Sequence, residues 1–262
     1  MTEATKGVQG LFDLTGKTAL VTGGSRGLGL AMATALGQMG ANVAITARKA
    51  DELLAARQSL STLGVDVVTE ANDLSDLAGI PGLVDRLNQQ MGHIDVLVNN
   101  AGTTWGAPAE SHPLEAWKKV MSLNLDAVFL LTQTIAQTSM IPRRQGKVIN
   151  ISSVGGLLGN PFGITSLAYN TSKGGLINFT RALAVEWGKF NINVNAICPG
   201  FFPSKMSAAT IRAHEHDVFT APPLGRIGGE DDLKGVVVFL ASEASRHITG
   251  QYLAVDGGAS IL

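Results

Sequence analysis

The chain has 262 residues, 45% hydrophobic and 16% charged, and 20 Lys and Arg against 21 Asp and Glu give a net charge of −1. This is ample material for a large core and too apolar for disorder, and the near-zero balance argues against a protein that grips nucleic acid on a basic face. A single cysteine, Cys198, leaves neither an internal disulfide framework nor a CxxC pair, which fits a reducing cytoplasm, while 31 glycines exceed ordinary usage.

Short β-branched runs alternate with longer helix-like segments along the chain. Residues 1–13 read as a tail without the cationic and apolar blocks of a secretion signal. Thr18–Thr22 reads as a strand and Leu28–Met39 as a helix closed by Gly40. Asn42–Thr46 is the second strand, and a helix from about Ala50 to Leu63 stops at Gly64. Val65–Thr69 and Ile94–Val98 are the next strands, with a helical stretch between them. Leu114 to about Met140 reads as one long helix, Lys147–Ile151 as a strand and Ala168–Trp187 as a helix. Ile192–Ile197 and Tyr252–Val255 are the last strands, separated by an irregular stretch and a helix near Asp232–Ser242. Strict alternation predicts a single α/β domain over residues 14–262, a doubly wound parallel sheet of Rossmann type with helices on both faces. The irregular stretches 154–167 and 201–229 are the expected walls of a site. The uncharged run Val148–Ser172 carries Asn150, Ser152, Ser153, Asn160 and Pro161, too polar for lipid, so no membrane partner is expected.

Directly after the first strand comes Thr22-Gly-Gly-Ser-Arg-Gly-Leu-Gly29, and then a helix. Glycines there permit a tight turn and let backbone N–H groups approach a pyrophosphate, whose charge the helix N-terminus also favours. The absence of Gly-Lys-Ser/Thr excludes a Walker A loop, and the spacing G-x-x-x-G-x-G differs from the usual G-x-G-x-x-G.

That spacing resembles the cofactor loop of the short-chain dehydrogenase/reductase family. Further matches follow in the family's order: Asn72-Asp73-Leu74, Asn99-Asn-Ala-Gly102, Asn124, Ser152-Ser153, Tyr169-Asn-Thr-Ser-Lys173 and Pro199-Gly200. Together they span Leu14 to Leu262. The resemblance implies a nicotinamide dinucleotide held by Gly23, Ser25, Arg26, Gly27, Leu28 and Gly29, with Asp73 and Leu74 at the adenine. Asn100, Ala101 and Gly102 would follow the ribose, and Pro199, Gly200 and Phe202 would lie further along the cofactor. Asp73 could instead cap the helix that follows it.

In such folds an acid at the end of the second strand binds the ribose 2′-hydroxyl, whereas arginine accommodates a 2′-phosphate. Here Ala47 stands at that position and Arg48 and Lys49 follow, with Arg26 as a further cation. NADP(H) is therefore the expected cofactor.

Tyr169 and Lys173 are four apart in a helical context and share a face. A free phenol titrates near ~10, and a neighbouring ammonium would lower that value toward the useful range for acid/base work. The expectation is that Lys173 does so. The resemblance adds Ser153 to orient a carbonyl, Lys173 to bind the nicotinamide ribose and Asn124 to hold a water linking Lys173 to solvent. It implies reversible hydride transfer between nicotinamide and a ketone or secondary alcohol. The chain looks like 3-oxoacyl-thioester reductases and like sugar-acid ketoreductases of the gluconate 5-dehydrogenase kind. A non-catalytic NADP-binding regulator on the same fold is the alternative of another class. The family also implies a homotetramer or homodimer.

One departure bears on substrate. Ser153 and Tyr169 are 16 apart where the family commonly has about three fewer, and the extra length lies in Gly159–Ser166. Residues 201–224, with Phe201, Phe202, Met206 and Phe219 beside Lys205, His214 and His216, are expected to cover the substrate. His214-Glu-His216 places two imidazoles off one helical face, with no further ligand cluster, so no metal is expected. Cys198 reads as a small buried residue.

Overall fold

The computed structural model describes residues 7–160 and 162–262. Residues 1–6 of the expected tail and Pro161 of the extended segment lie outside them. The chain order is β1 (Thr18–Thr22), α1 (Gly27–Gln38), β2 (Asn42–Ala47), α2 (Ala50–Thr62), β3 (Val67–Ala71), α3 (Ile80–Met91), β4 (Val96–Asn99), α4 (Leu114–Met121) and α5 (Ala127–Ile135). There follow β5 (Gly146–Ile151), α6 (Leu167–Trp187), β6 (Ile192–Pro199), α7 (Ala208–Ala213), α8 (Glu215–Thr220), α9 (Lys234–Ala241) and β7 (Tyr252–Val255).

The seven strands form one sheet in the order 3-2-1-4-5-6-7, and every pairing is parallel. Alternation along β1 sends Ala19 and Val21 to one face, with Met32 and Leu36 of α1 and Val237 of α9. Leu20 points to the other, with Leu83 and Leu87 of α3, Leu131 of α5 and Leu183 of α6. Because both faces are covered, β1, β4 and β5 are buried at every position. The strand order reverses between β1 and β4, and their C-terminal ends open the crevice where ligands of such sheets bind.

A buried polar ladder ties this crevice to the helices behind it. Asn99 Nδ2 donates to Thr132 Oγ1 and Asn150 Oδ1, each at 2.9 Å, and Asn150 Nδ2 donates to Thr180 Oγ1 at 2.9 Å. Groups so deeply desolvated are costly unless paired, so the ladder fixes the register of α6 against β5.

Four expectations need correction. The third strand is Val67–Ala71 rather than Val65–Thr69, because the Val65 N–H returns to the Leu60 carbonyl at 3.0 Å and closes α2. The long helix is interrupted by wider π-type turns at Ser122–Asp126 and Ala136–Met140. Residues 201–229 contain α7 and α8, and Val8–Leu11, inside the expected tail, forms one helical turn. Among the described residues no helix is long and apolar enough to cross a membrane.

Candidate active site

One cavity of about 1110 Å³ runs across the C-terminal ends of the strands. Its first part is the glycine loop. Gly23 and Gly27 take φ of 63° and 53°, in the left-handed region that glycine enters without steric cost. A Cβ on Gly29 would collide with the Gly23 carbonyl oxygen and stand 2.5 Å from Asn100 Nδ2. The loop is held from beneath by β4. Thr22 Oγ1 accepts from the N–H groups of Asn100 and Ala101 at 3.0 and 2.9 Å, and Asn100 Nδ2 donates to the Thr22 carbonyl at 2.8 Å. The result is a tight backbone loop in which Gly29 leaves no room for a Cβ. Gly29→Ala is expected to cost about 1–3 kcal/mol of stability through this overpacking; an unchanged denaturant midpoint would show that the loop yields instead.

Ser25, Arg26, Gly27, Leu28, Arg48, Lys49, Asp73, Leu74 and Ala101 line the cavity beside this loop, and Gly102 lines it next to Lys173. Asp73 Oδ1 accepts from the N–H and hydroxyl of Ser75 at 3.0 and 2.7 Å. Burial raises the Asp73 carboxyl, but those two bonds and the charge of Arg48 outweigh it and hold the group below its usual range. Glu52, which the sequence reading did not single out, also lines this end. Its Oε1 receives Arg26 Nη1 at 2.7 Å and Lys49 Nζ at 3.3 Å, and its Oε2 lies 3.4 Å from Ser25 Oγ. The available sign was an acid in the first turn of α2 directly after a cationic strand end.

At the middle of the cavity, β5 ends in two serines that face opposite ways. Ser152 is buried and its hydroxyl donates to the Lys173 carbonyl at 2.8 Å, whereas Ser153 opens onto the cavity and accepts from the Gly155 N–H at 3.1 Å. A Cβ on Gly156 would stand 2.6 Å from the Lys173 carbonyl carbon, so this turn abuts α6 at its functional face. Tyr169 and Lys173 both face the cavity from α6. Lys173 is almost fully buried, and its ammonium donates to the Ile151 carbonyl at 2.7 Å while lying 5.5 Å from the centroid of the Tyr169 ring.

The charge states differ from the expectation. Tyr169 is raised above its ordinary value, first by burial, against a lowering hydrogen bond from Ser153. Burial pushes Lys173 down to about 8. The ammonium lies over the ring and donates to a backbone carbonyl, and burial outweighs the bond from Ser153, so Tyr169 in the free protein is a neutral phenol. Cys198 is fully buried and pushed up to about 11, chiefly by that burial, so it remains an inert thiol.

Asn124 does not line the cavity. It sits in the π-type turn, 1% exposed, where its Oδ1 accepts from the Thr103 N–H at 2.9 Å and its Nδ2 donates to the Thr103 carbonyl and to Ser172 Oγ at 3.0 and 2.9 Å. It clamps the Gly102–Thr103 wall to α6. The Ser153–Tyr169 connection is tied down as well. Asn160 Nδ2 donates to Ser166 Oγ at 2.6 Å, Ser166 Oγ to Asn170 Oδ1 at 3.0 Å, and Asn170 Nδ2 to Asn160 Oδ1 at 2.8 Å. This triangle anchors the longer segment one residue beyond Tyr169. Pro199, Gly200 and Phe202 line the far end, where Ser204 and Ser207 bond each other at 2.9 Å and brace the start of α7. The lining also includes Leu158, Phe162, Ile164, Met206 and Val218, with Lys119 and Lys205. Phe162 stacks on His214 with centroids 6.4 Å apart, joining the two irregular segments across the cavity.

The family model for short chain dehydrogenases matches residues 17–215. The gluconate 5-dehydrogenase of Gluconobacter oxydans is 38% identical over 253 residues, covering 96% of this chain and 97% of that protein. The rhamnolipids biosynthesis 3-oxoacyl-[acyl-carrier-protein] reductase of Pseudomonas aeruginosa is 40% identical, covering 94% and 97%. Among solved structures, a gluconate 5-dehydrogenase from Burkholderia cenocepacia in complex with NADP and tartrate superposes with a TM-score of 0.92 at 33% identity, over 98% of this chain and 100% of that one. With the sheet order, the glycine cradle and the Ser153–Tyr169–Lys173 grouping already placed, these matches over nearly the whole length make the chain a member of the short-chain dehydrogenase family.

Proposed function

We propose that the chain is an NADP(H)-dependent oxidoreductase that reduces a ketone to a secondary alcohol, with Tyr169 as the acid. The observation that carries this is the convergence of a glycine-rich loop, a cationic end and a serine–tyrosine–lysine group in one cavity. Gly23, Gly27 and Gly29 would receive the pyrophosphate, Arg48, Arg26 and Lys49 the 2′-phosphate, and Asp73 and Leu74 the adenine. Bound NADPH supplies the hydride. Ser153 would donate to the carbonyl oxygen and orient it, and the Tyr169 phenol would pass its proton to that oxygen as negative charge develops there. A neutral phenol is the form this step requires. Lys173 would hold the nicotinamide ribose and stabilise the phenolate left behind, while Asn124 positions the Gly102–Thr103 wall.

The rate of ketone reduction is expected to hold through neutral pH and fall as the Lys173 ammonium is lost above about 8. The profile of kcat/KM against pH should lose that descending limb in Lys173→Met, at a much lower rate. A wild-type profile level into the tyrosine range would remove Lys173 from this role.

Two substrate readings rest on different parts of the wall. Leu158, Phe162, Ile164, Met206 and Val218 favour a 3-oxoacyl or similar apolar keto substrate, the leading reading; Lys119 and Lys205 favour a sugar acid. Phe129 and Val185, 50% and 84% exposed on α5 and α6, together with the exposed Tyr252, Leu253, Ile261 and Leu262, support assembly into a homotetramer or homodimer. A lone buried thiol is in keeping with a cytoplasmic location.

A further inference from the structure

We propose that Glu52 is a counterweight in the 2′-phosphate pocket, a specificity-determining carboxylate that limits the preference for NADPH over NADH. The inference rests on the NADP(H) reading above. In the ligand-free protein this carboxylate engages three donors at that end of the cavity: Arg26 Nη1 at 2.7 Å, Lys49 Nζ at 3.3 Å and Ser25 Oγ at 3.4 Å. Arg48 lines the same end outside this cluster.

The electrostatics give the effect a sign. Three cations, Arg26, Arg48 and Lys49, stand with the carboxylates of Glu52 and Asp73, of which Glu52 is the one paired with Arg26 and Lys49, and a 2′-phosphate brings roughly 1.5 to 2 negative charges of its own. Whether Glu52 stays in place or swings aside, the phosphate meets a cost that a 2′-hydroxyl escapes. If the carboxylate stays, it repels the phosphate across a few ångströms. If it leaves, its bonds to Arg26, Lys49 and Ser25 are broken first. NADH, lacking that group, meets neither cost in full. A carboxylate placed here therefore narrows the gap between the two cofactors, although it stands outside the strand-end position where an acid ordinarily selects NAD. The group remains ionised for this purpose: its pKa is lowered, since the Lys49 hydrogen bond and the charges of Arg26 and Lys49 outweigh burial, the largest single influence and one that raises it.

The test is direct titration of NADPH and NADH, read by nicotinamide fluorescence, on the wild type, Glu52→Gln and Glu52→Ala. Because the side chain is partly exposed and screened, the ratio of NADPH to NADH affinity is expected to rise on the order of 3–10-fold in both variants, more at low salt. Using two variants separates loss of the charge from new bonds made by the glutamine amide. A ratio that is unchanged or falls in both, with a wild type that prefers NADPH, would overturn the role of Glu52 alone and make it a positioning residue for Arg26. A wild type that binds the two cofactors equally would overturn the cofactor reading and this inference with it.

Discussion

Tyr169→Phe is expected to reduce ketone reduction by roughly 10²–10⁴-fold, the range that a positioned proton donor supplies. The ring should keep its place, because the substitution removes one oxygen while Ala168 and Ser172 on the same helix stay buried. NADPH affinity should change far less than turnover, since the glycine cradle and the cationic end are built from other elements. A variant retaining a tenth or more of wild-type turnover, about ten times above the weakest effect predicted, would move the acid role off Tyr169.

Arg48→Ala is expected to weaken NADPH by roughly 10–100-fold and to leave NADH much less affected, as a charge-assisted bond to phosphate contributes about 1.5–3 kcal/mol. Arg48 is the cation for this comparison because it is exposed at the cavity without an ion pair among the described residues, whereas Arg26 and Lys49 already share Glu52. Its removal costs little in the free protein, so the change in affinity reads the bound state. Equal losses for both cofactors, measured by the same titration, would show that Arg48 meets some part of the cofactor other than the 2′-phosphate. The two variants also separate the functions of the cavity: one should spoil chemistry while sparing recognition, and the other the reverse.

The parts of this design that were legible in the sequence are those carried by local pattern. Runs such as Thr18–Thr22 and Lys147–Ile151 read as strands because apolar, β-branched residues bury both faces of a parallel sheet. The glycine loop could be placed because strand, loop and helix follow one another within a dozen residues. What stayed hidden depends on contacts between distant positions. Glu52 matters through Arg26, 26 residues away, and the Asn160–Ser166–Asn170 triangle closes only once the segment folds back on α6. Asn124 reads alike as a cavity residue or a clamp until the π-type turn directs its carboxamide to Thr103 and Ser172. The ionisation of Tyr169 escapes the sequence for a related reason. Spacing brings Lys173 near the ring, but burial and the Ile151 carbonyl decide what the ammonium does there.

The glycine excess gains a definite meaning at a few addresses. Gly29 lets the cradle close on itself and Gly156 lets the β5 turn meet α6, while Gly200 clears Asp256, whose Cα would stand 2.9 Å from an added Cβ. The near-zero net charge conceals a local arrangement of three cations, Arg26, Arg48 and Lys49, around the carboxylates of Glu52 and Asp73.

The most direct measurement of the central claim is consumption of NADPH, followed by nicotinamide absorbance, against a panel of 3-oxoacyl thioesters, keto-sugar acids and cyclic diketones. The account predicts that at least one ketone is reduced with one NADPH consumed per alcohol formed, much more slowly with NADH, and hardly at all by Tyr169→Phe. Tight NADPH binding with no turnover across the whole panel would contradict it and favour a non-catalytic NADP-binding regulator on the same fold.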